Sequence, residues 1–372
     1  MIVVRRNEAF ATAPEPVATR ADRLAARLAE PELDALLVTD LTNVRYLTGF
    51  SGTNGLCVVG AAGERAFLTD FRYLERAEAE VEGFDRARGE RDLLADAAAR
   101  LSGRVGFDDA HLSVRAHRRL SGLVAERGVE LVPAAGLVEE LRAVKEPAEI
   151  EAMRAAAALA DGVYEYLAER GLVGRSEREV ALDLEREMRE RGAEDPSFPS
   201  IVAAGPNGAL PHADPRREPI PANTLVVVDM GAVVDGYCSD CTRTFATGPL
   251  PDEAVEVYEL VLRAQQAALE AVRAGAGARA VDAIAREMIA DAGHGERFGH
   301  GLGHGVGLEV HEAPTLSPRA EGELAAGNAV TVEPGVYVAG AFGVRIEDLV
   351  VVTEGGCEVL TGFPKTLATL GA

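Results

Sequence analysis

The chain has 372 residues, enough for about two ordinary domains, and its 47% hydrophobic and 26% charged content is that of a soluble globular protein. No apolar run approaches the roughly 20 residues a membrane span needs. A formal charge of −22, with no local basic patch, repels phosphate backbones and anionic lipids, which excludes nucleic acid and membrane as partners and suits cations instead. Lysine occurs only at 145 and 365, and no GxxxxGK[ST] exists, so a phosphate-loop lysine is excluded. Four cysteines, 57, 238, 241 and 357, are too few and too scattered for a disulfide framework. The start, MIVVRRNEAFATAPEP, has no apolar core of signal-peptide length, so a cytoplasmic protein is expected.

In chain order, residues 1–15 read as a mobile arm, and from Pro16 the spacing of Leu24 and Leu28 predicts a helix. Strands are predicted at Ala35–Val38, Leu56–Val59 and Ala66–Leu68, the last two around a turn at Gly60–Glu64. Helices near 72–81, 92–101 and 113–126 then alternate with strands near 104–107 and 129–132, which indicates an α/β layer. The connector VEELRAVKEPAEIEAM marks a boundary, with Pro147 suited to the first turn of a helix running to about residue 169. The expected division is 1–142 for an α/β N-terminal domain and 143–372 for a second, α+β domain. In the second, two helices followed by antiparallel strands occur twice, near 147–169, 177–191 and 200–245, then near 252–273, 279–291 and beyond. Any internal duplication rests on that element order alone.

Four stretches of the second domain carry candidate chemistry. In LVVVDMGAVVDGYCSDCTRTF, Asp235-Gly236 between β-rich runs predicts a two-residue type I′ hairpin turn. If Val234 pairs with Tyr237, Asp229 faces Thr242 and lies diagonally from Asp240 on one sheet face. Asp229 ends an apolar run and needs a cation or donors if buried; a solvated turn acid is the alternative. The strap GHGLGHGVGLEVHE, 299–312, places His300, His304 and His311 close together, and its glycines disfavour a helix. Its plainer alternative is a mobile loop with surface histidines. Finally, AVTVEPGVYV and FGVRIEDLVVV each place a glutamate, Glu333 or Glu347, inside an apolar strand, where acids are disfavoured without a partner. An ion pair of Glu347 with Arg345, on the same face, is the structural explanation there. Two aspartates, two glutamates and one histidine would balance two divalent cations; oxygen-rich ligands suit manganese, with cobalt, zinc or iron as alternatives. Metals roughly 3.5–4 Å apart can activate water and polarise a carbonyl, the logic of metal-assisted hydrolysis.

The ordered set VVDMGA, YCSDCTRT, GHGLGHGVGLEVHE, TVEPGVY and GVRIED resembles the dinuclear metallopeptidases of the pita-bread fold, in the Xaa-Pro aminopeptidase and prolidase branch. SFPSIVAAGPNGALPHA resembles the branch's segment with a further active-site histidine, and NVRYLTGFSG with TDFRYLERA its bacterial aminopeptidase N-terminal domain. The resemblance implies an α/β N-terminal domain plus an α+β C-terminal pita-bread (creatinase/aminopeptidase-like) catalytic domain. It implies Asp229, Asp240, His304, Glu333 and Glu347 as metal ligands, with Asp240 and Glu347 shared by both ions. His212, His300 and His311 would line the pocket, Glu333 would exchange a proton with the attacking water, and Arg345 would orient a carboxylate ligand. The activity implied is removal of the N-terminal residue from peptides with proline second, by a homodimer; an Xaa-Pro dipeptidase is the nearest alternative. A methionine aminopeptidase fits less well because of the extra N-terminal domain, and a non-catalytic binding module less well because all five ligand positions are filled.

Several other signals carry no expected role. Cys238 and Cys241 form a CxxC, but residues three apart in a strand point to opposite faces. GAGARA at 275–280 follows a helix, not a strand, and so lacks the context of a dinucleotide fingerprint. His111, His117 and His294 sit in charged segments, and no GxSxG surrounds a serine.

Overall fold

A computed structural model describes residues 18–90 and 92–371. The predicted arm at 1–15 lies outside the described residues. The chain divides into two compact units, the second beginning at Glu139. Among the described residues, no helix is long and apolar enough to cross a membrane.

The first unit carries helices α1 (Arg20–Arg27), α2 (Leu41–Thr48), α3 (Leu74–Glu80), α4 (Leu93–Ala98) and α5 (Val114–Val124) on one sheet. Its strands are β1 (Ala35–Val38), β2 (Gly55–Gly60), β3 (Arg65–Thr69), β4 (Asp85–Arg88), β5 (Arg104–Phe107) and β6 (Glu130–Pro133), ordered β4-β3-β2-β1-β5-β6. The pairs β1–β2 and β2–β3 are antiparallel, the second a hairpin and the first joined through α2, whereas β1–β5, β5–β6 and β3–β4 are parallel and need crossovers. The alternation of elements predicts this layer. The polar edge strand β4 and helix α2 are additions that hydrophobic period does not announce; α2 is set by its ends, an Asp40 N-cap and a left-handed Gly49 (φ 81°).

The second unit opens with α6 (Glu139–Ala143), α7 (Pro147–Arg170) and α8 (Glu177–Glu190). Pro147 occupies the first turn of α7, and the capping boxes Glu146/Glu149 and Ser176/Glu179 satisfy the first backbone donors of α7 and α8. Strands β7 (Asp195–Pro196), β8 (Ile201–Ala204), β9 (Leu225–Met230), β10 (Ala232–Val234), β11 (Tyr237–Cys238) and β12 (Cys241–Ala246) follow. The second helix pair, α9 (Asp252–Ala271) and α10 (Ala278–Asp291), precedes β13 (Gly303–Gly305), β14 (Glu312–Leu316), β15 (Ala329–Val332), β16 (Gly335–Val338), β17 (Phe342–Arg345), β18 (Asp348–Thr353) and β19 (Gly356–Val359). Sheets of order β12-β9-β8 and β14-β13-β15-β18-β19 receive one helix pair each. Val163, Tyr164, Leu167, Leu184 and Met188 of α7 and α8 bury Val226, Val228 and Met230. Val257, Val261 and Ala264 of α9 and Ala285 and Ile289 of α10 bury Val330, Val332, Val350 and Val352. At about 1.5–3 kcal/mol for each fully buried aliphatic or aromatic side chain, these two clusters dominate the stability of the unit.

The predicted hairpin register holds: Val234 pairs with Tyr237, and Asp235 and Gly236 both have positive φ (50° and 81°), as a type I′ turn requires. The register continues through the interruption at Gly231, so that Asp229 pairs with Thr242. Fully buried Tyr164 ties the layers, donating to the carbonyls of Val228 and Cys241 at 3.0 and 2.7 Å. Tyr164→Phe should cost about 1 kcal/mol, which for a unit of this size lowers the thermal midpoint by about 2–4 °C. Differential scanning calorimetry of the two proteins measures that shift.

Candidate metal centre and active site

Period two in β9 decides where Asp229 points. Val226, Val228 and Met230 face the α7–α8 core, so Val227 and Asp229 face the other way. Asp240 lies in the gap between β11 and β12, two residues from Thr242, the partner of Asp229. His304 is the middle residue of β13, which lies so close to β15 that a Cβ at Gly303 would sit 2.0 Å from the Thr331 carbonyl oxygen. Only glycine permits that approach. The two glutamates correct the sequence reading: Glu333 follows the end of β15 and Glu347 precedes β18, so both stand at strand ends and not inside strands. Pro334 cannot donate to a ladder, and there the chain leaves the five-stranded sheet for the β16–β17 ribbon. Because Val332 pairs with Asp348, Glu333 and Glu347 flank the same end of one strand pair.

Asp229, Asp240 and Glu347 each direct an oxygen into a cluster whose atoms lie within 4.8 Å of one another. His304 Nε2 is 3.2 Å from Glu333 Oε1 and 3.6 Å from Asp240 Oδ2. All five line one cavity of about 440 Å³, with His212, His300, His311 and Arg345. Burial raises the pKa of Asp240 and Glu347 well above the carboxylate range, and the neighbouring carboxylates push the same way. Asp229 is also raised by burial, against the opposing charge of Arg345. Burial acts likewise on Glu333, but the hydrogen bond and charge of His304 outweigh it and hold Glu333 down to about 2. His304 is raised, its burial being outweighed by Glu333.

Arg345 does not pair with Glu347. Its Nη2 donates to Asp229 Oδ2 at 2.7 Å, its Nε to Thr242 Oγ1 at 3.0 Å, and Thr242 in turn donates to Glu347 Oε2 at 2.7 Å. Arg345 Nη1 also donates to the Tyr337 hydroxyl at 2.9 Å, which lies 2.9 Å from His300 Nε2. With His300 Nδ1 donating to the Gly301 carbonyl at 2.7 Å, both its ring nitrogens are engaged, and burial lowers its pKa. His311 is exposed, its ring centroid 4.3 Å from that of His304, and His212 is exposed on the cavity wall. Thr242, Thr331 and Tyr337 escaped the sequence reading. The spacing Asp240/Thr242 and Thr331/Glu333 was available as a same-face signal, and Thr331 Oγ1 does donate to Glu333 Oε1 at 3.0 Å. Neither CxxC cysteine is in a disulfide; Cys238 Sγ points toward the Leu308 carbonyl and Cys241 Sγ toward that of Glu347.

The arrangement fits cations. Asp229 Oδ1 and Glu347 Oε1 are buried and accept no hydrogen bond, a costly state for carboxylate oxygens unless a positive charge faces them. His304 Nδ1 is 3.1 Å from the Gly305 carbonyl, a partner that can only accept. With its single proton on Nδ1, the neutral form of His304 would turn the Nε2 lone pair toward a cation among the carboxylates, as a ligand does; without one, Nε2 carries the proton that Glu333 accepts.

Residues 151–354 match metallopeptidase family M24, and residues 20–144 match the creatinase/prolidase N-terminal domain. The chain belongs to metallopeptidase family M24. It is 40% identical to the uncharacterized peptidase YqhT of Bacillus subtilis, over 91% of this chain and 96% of that protein. A solved Xaa-Pro dipeptidase from Bacillus anthracis superposes with TM-score 0.91 at 38% identity, covering 94% of this chain and 99% of that one. The X-Pro aminopeptidase of Thermotoga maritima MSB8 superposes with TM-score 0.86 at 33% identity, covering 92% and 99%. The fold is thus the M24 pita-bread fold behind a creatinase-type N-terminal domain, and the chain is a metallo-exopeptidase of the Xaa-Pro peptidase group with an acidic cluster able to bind metal.

Without metal, Asp240 and Glu347 hold protons more tightly folded than unfolded. The stability they contribute is present below the ordinary carboxylate range and lost as pH rises through their folded pKa. Chelated wild-type protein should therefore lose thermal midpoint as pH rises above the ordinary carboxylate range. Asp240→Asn should lose less, be the more stable of the two once pH has risen well above that range, and gain nothing from added divalent metal; thermal scans with chelator or metal test all three.

Proposed function

We propose that this chain hydrolyses the bond between an N-terminal residue and a proline in second position, with the Xaa-Pro dipeptide as preferred substrate. The observation that carries the reading is the carboxylate–imidazole cluster standing beside an apolar wall of Phe198, Ile201, Pro211, Pro215 and Val310 in one cavity. An Xaa-Pro amide has no N–H and carries a rigid ring, so it calls for an apolar recess next to the hydrolytic groups and not for backbone donors. Dipeptide preference is supported by the fuller likeness to the B. anthracis dipeptidase than to the T. maritima aminopeptidase. This reverses the order suggested by the sequence motifs.

Asp229, Asp240, His304, Glu333 and Glu347 would hold two divalent ions, manganese foremost given four carboxylates and one imidazole. Bound there, the ions would supply Lewis-acid polarisation of the scissile carbonyl and a lowered pKa for water. Glu333 would take the proton of the attacking water and pass it to the prolyl nitrogen. Exposed His212 and His311 would donate to the substrate carbonyl oxygen. Arg345 would hold Asp229 in orientation, with His300 and Tyr337 fixing the guanidinium from behind.

One observation favours the aminopeptidase reading. Arg345 is the one guanidinium among the described residues lining the cavity, and it is bound to Asp229. A dipeptide's C-terminal carboxylate would have to rely on His212 or His311, whereas a longer peptide brings no such charge into the cavity. Mass spectrometry of products from an Xaa-Pro dipeptide and an Xaa-Pro-Xaa tripeptide, with manganese-loaded and chelated enzyme, separates the readings. Metal-dependent cleavage of the dipeptide alone is expected; cleavage of the tripeptide moves the assignment to the aminopeptidase, and cleavage of neither to a binding module. Glu333→Gln should lower kcat by about 10²–10⁴ on the active substrate, and a variant of undiminished kcat would remove Glu333 from proton transfer.

A further inference from the structure

We propose that Asp348, held between Arg243 and Lys365, is a positioning residue that fixes Glu347 for metal binding; the inference rests on the metal-centre reading above. Glu347 and Asp348 are neighbours at the start of β18 and point to opposite sides. Glu347 enters the cavity, whereas Asp348 turns into the protein, 1% exposed and off the cavity lining. Four side chains converge on that one carboxylate. Arg243 Nη2 and Thr361 Oγ1 donate to Oδ1 at 3.0 and 2.9 Å, and Gln265 Nε2 donates to Oδ2 at 2.9 Å beside Lys365 Nζ. They come from β12, α9 and the segment after β19, so three separate parts of the unit are tied to the residue next to Glu347.

Arg243 makes the connection to Glu347 direct. Its guanidinium is 2% exposed and is itself fixed by two bonds to the Phe363 carbonyl, at 3.0 and 2.6 Å. Its Nη1 donates to the Thr242 carbonyl at 3.0 Å and to the carbonyl oxygen of Glu347 itself. The Glu347 N–H donates to the Thr242 carbonyl at 3.1 Å. The Glu347 backbone is thus clamped at both its N–H and its carbonyl, while its side chain is held at Oε2 by Thr242 and leaves buried Oε1 without a hydrogen bond. A buried ion cluster adds little net stability compared with a well-packed apolar one, but it does fix geometry.

The test is calorimetric titration of manganese into chelated full-length wild type, Asp348→Asn and Lys365→Met, with the thermal midpoint of each chelated protein as the check on folding. Lys365 is 22% exposed along its side chain and is replaced by a side chain of similar length, so this variant carries the test if Asp348→Asn does not fold. The expected result is a loss of about 10-fold or more in the affinity of the weaker manganese equivalent, with kcat lost at low manganese and recovered at high manganese while KM holds. Wild-type manganese affinities in the folded variants, however far their midpoints fall, would overturn the proposal and leave Asp348 a core ion pair. A wild-type protein that takes up no manganese would instead overturn the metal-centre reading and this inference with it.

Discussion

The second unit is built around a repulsion. Asp229, Asp240, Glu333 and Glu347 crowd into one cavity with His304 among them; burial opposes the ionisation of all four, and for Asp240 and Glu347 the neighbouring carboxylates oppose it too. A chain folding without cations keeps such a cluster by holding extra protons, by pairing, or by rigidity imposed from outside, and all three occur. Asp240 and Glu347 are pushed toward the protonated form, Glu333 borrows the charge of His304, and Asp229 borrows that of Arg345. Divalent ions held there would relieve the repulsion directly and take the place of the extra protons, with the Arg345–Asp229 pair and the rigid frame left in place. Metal affinity and metal-free instability therefore have one origin.

Rigidity comes from how the strands are read. β9 and β12 are buried on both faces, so each alternate residue serves a different master: Val226, Val228, Cys241 and Phe245 pack on the helices, while Asp229 and Thr242 serve the cavity. Helix packing thereby fixes the orientation of the site residues with no connector between. The polar links are equally shared. Thr242 bridges Arg345 and Glu347, and Tyr337 bridges Arg345 and His300, so losing one hydroxyl disturbs two site residues.

What the sequence disclosed follows from this economy. The Asp235-Gly236 turn fixes a register that reaches Asp229 and Asp240, because pairing propagates rigidly along a ladder. The helix pairs are legible because each buries one apolar stripe. The strand breaks at Glu333 and Glu347 are hidden, because apolar runs on either side read as continuous strand. Arg345 is equally deceptive: its same-face neighbour Glu347 is two residues away, but its partner Asp229 comes from a strand more than a hundred residues earlier. Edge strand β4, DRAR, buries too little to show a period, and α2 declares itself only through its caps. Side chains whose partners are remote in sequence leave no local pattern. That is why Tyr337 and Asp348 surfaced only with the fold, whereas Thr242 and Thr331 left only the two-residue spacing to Asp240 and Glu333.

The two lysines make the same point from composition. In a chain whose cations are otherwise all arginine, Lys145 and Lys365 each share a buried carboxylate with one arginine: Glu312 with Arg142, and Asp348 with Arg243. Each of those acids directly follows a cavity residue, His311 or Glu347. A planar guanidinium claims a broad approach to a carboxylate, and a second one needs comparable room; a compact ammonium fits the remaining side. Burial depresses the pKa of Lys145, with Glu312 opposing that shift, so this lysine is held at an energetic disadvantage. Such pairs are weak sources of net stability. Their placement one residue beyond the site makes sense as geometry: a doubly anchored carboxylate stops its neighbour's backbone from rotating, and the cavity side chain inherits that restraint.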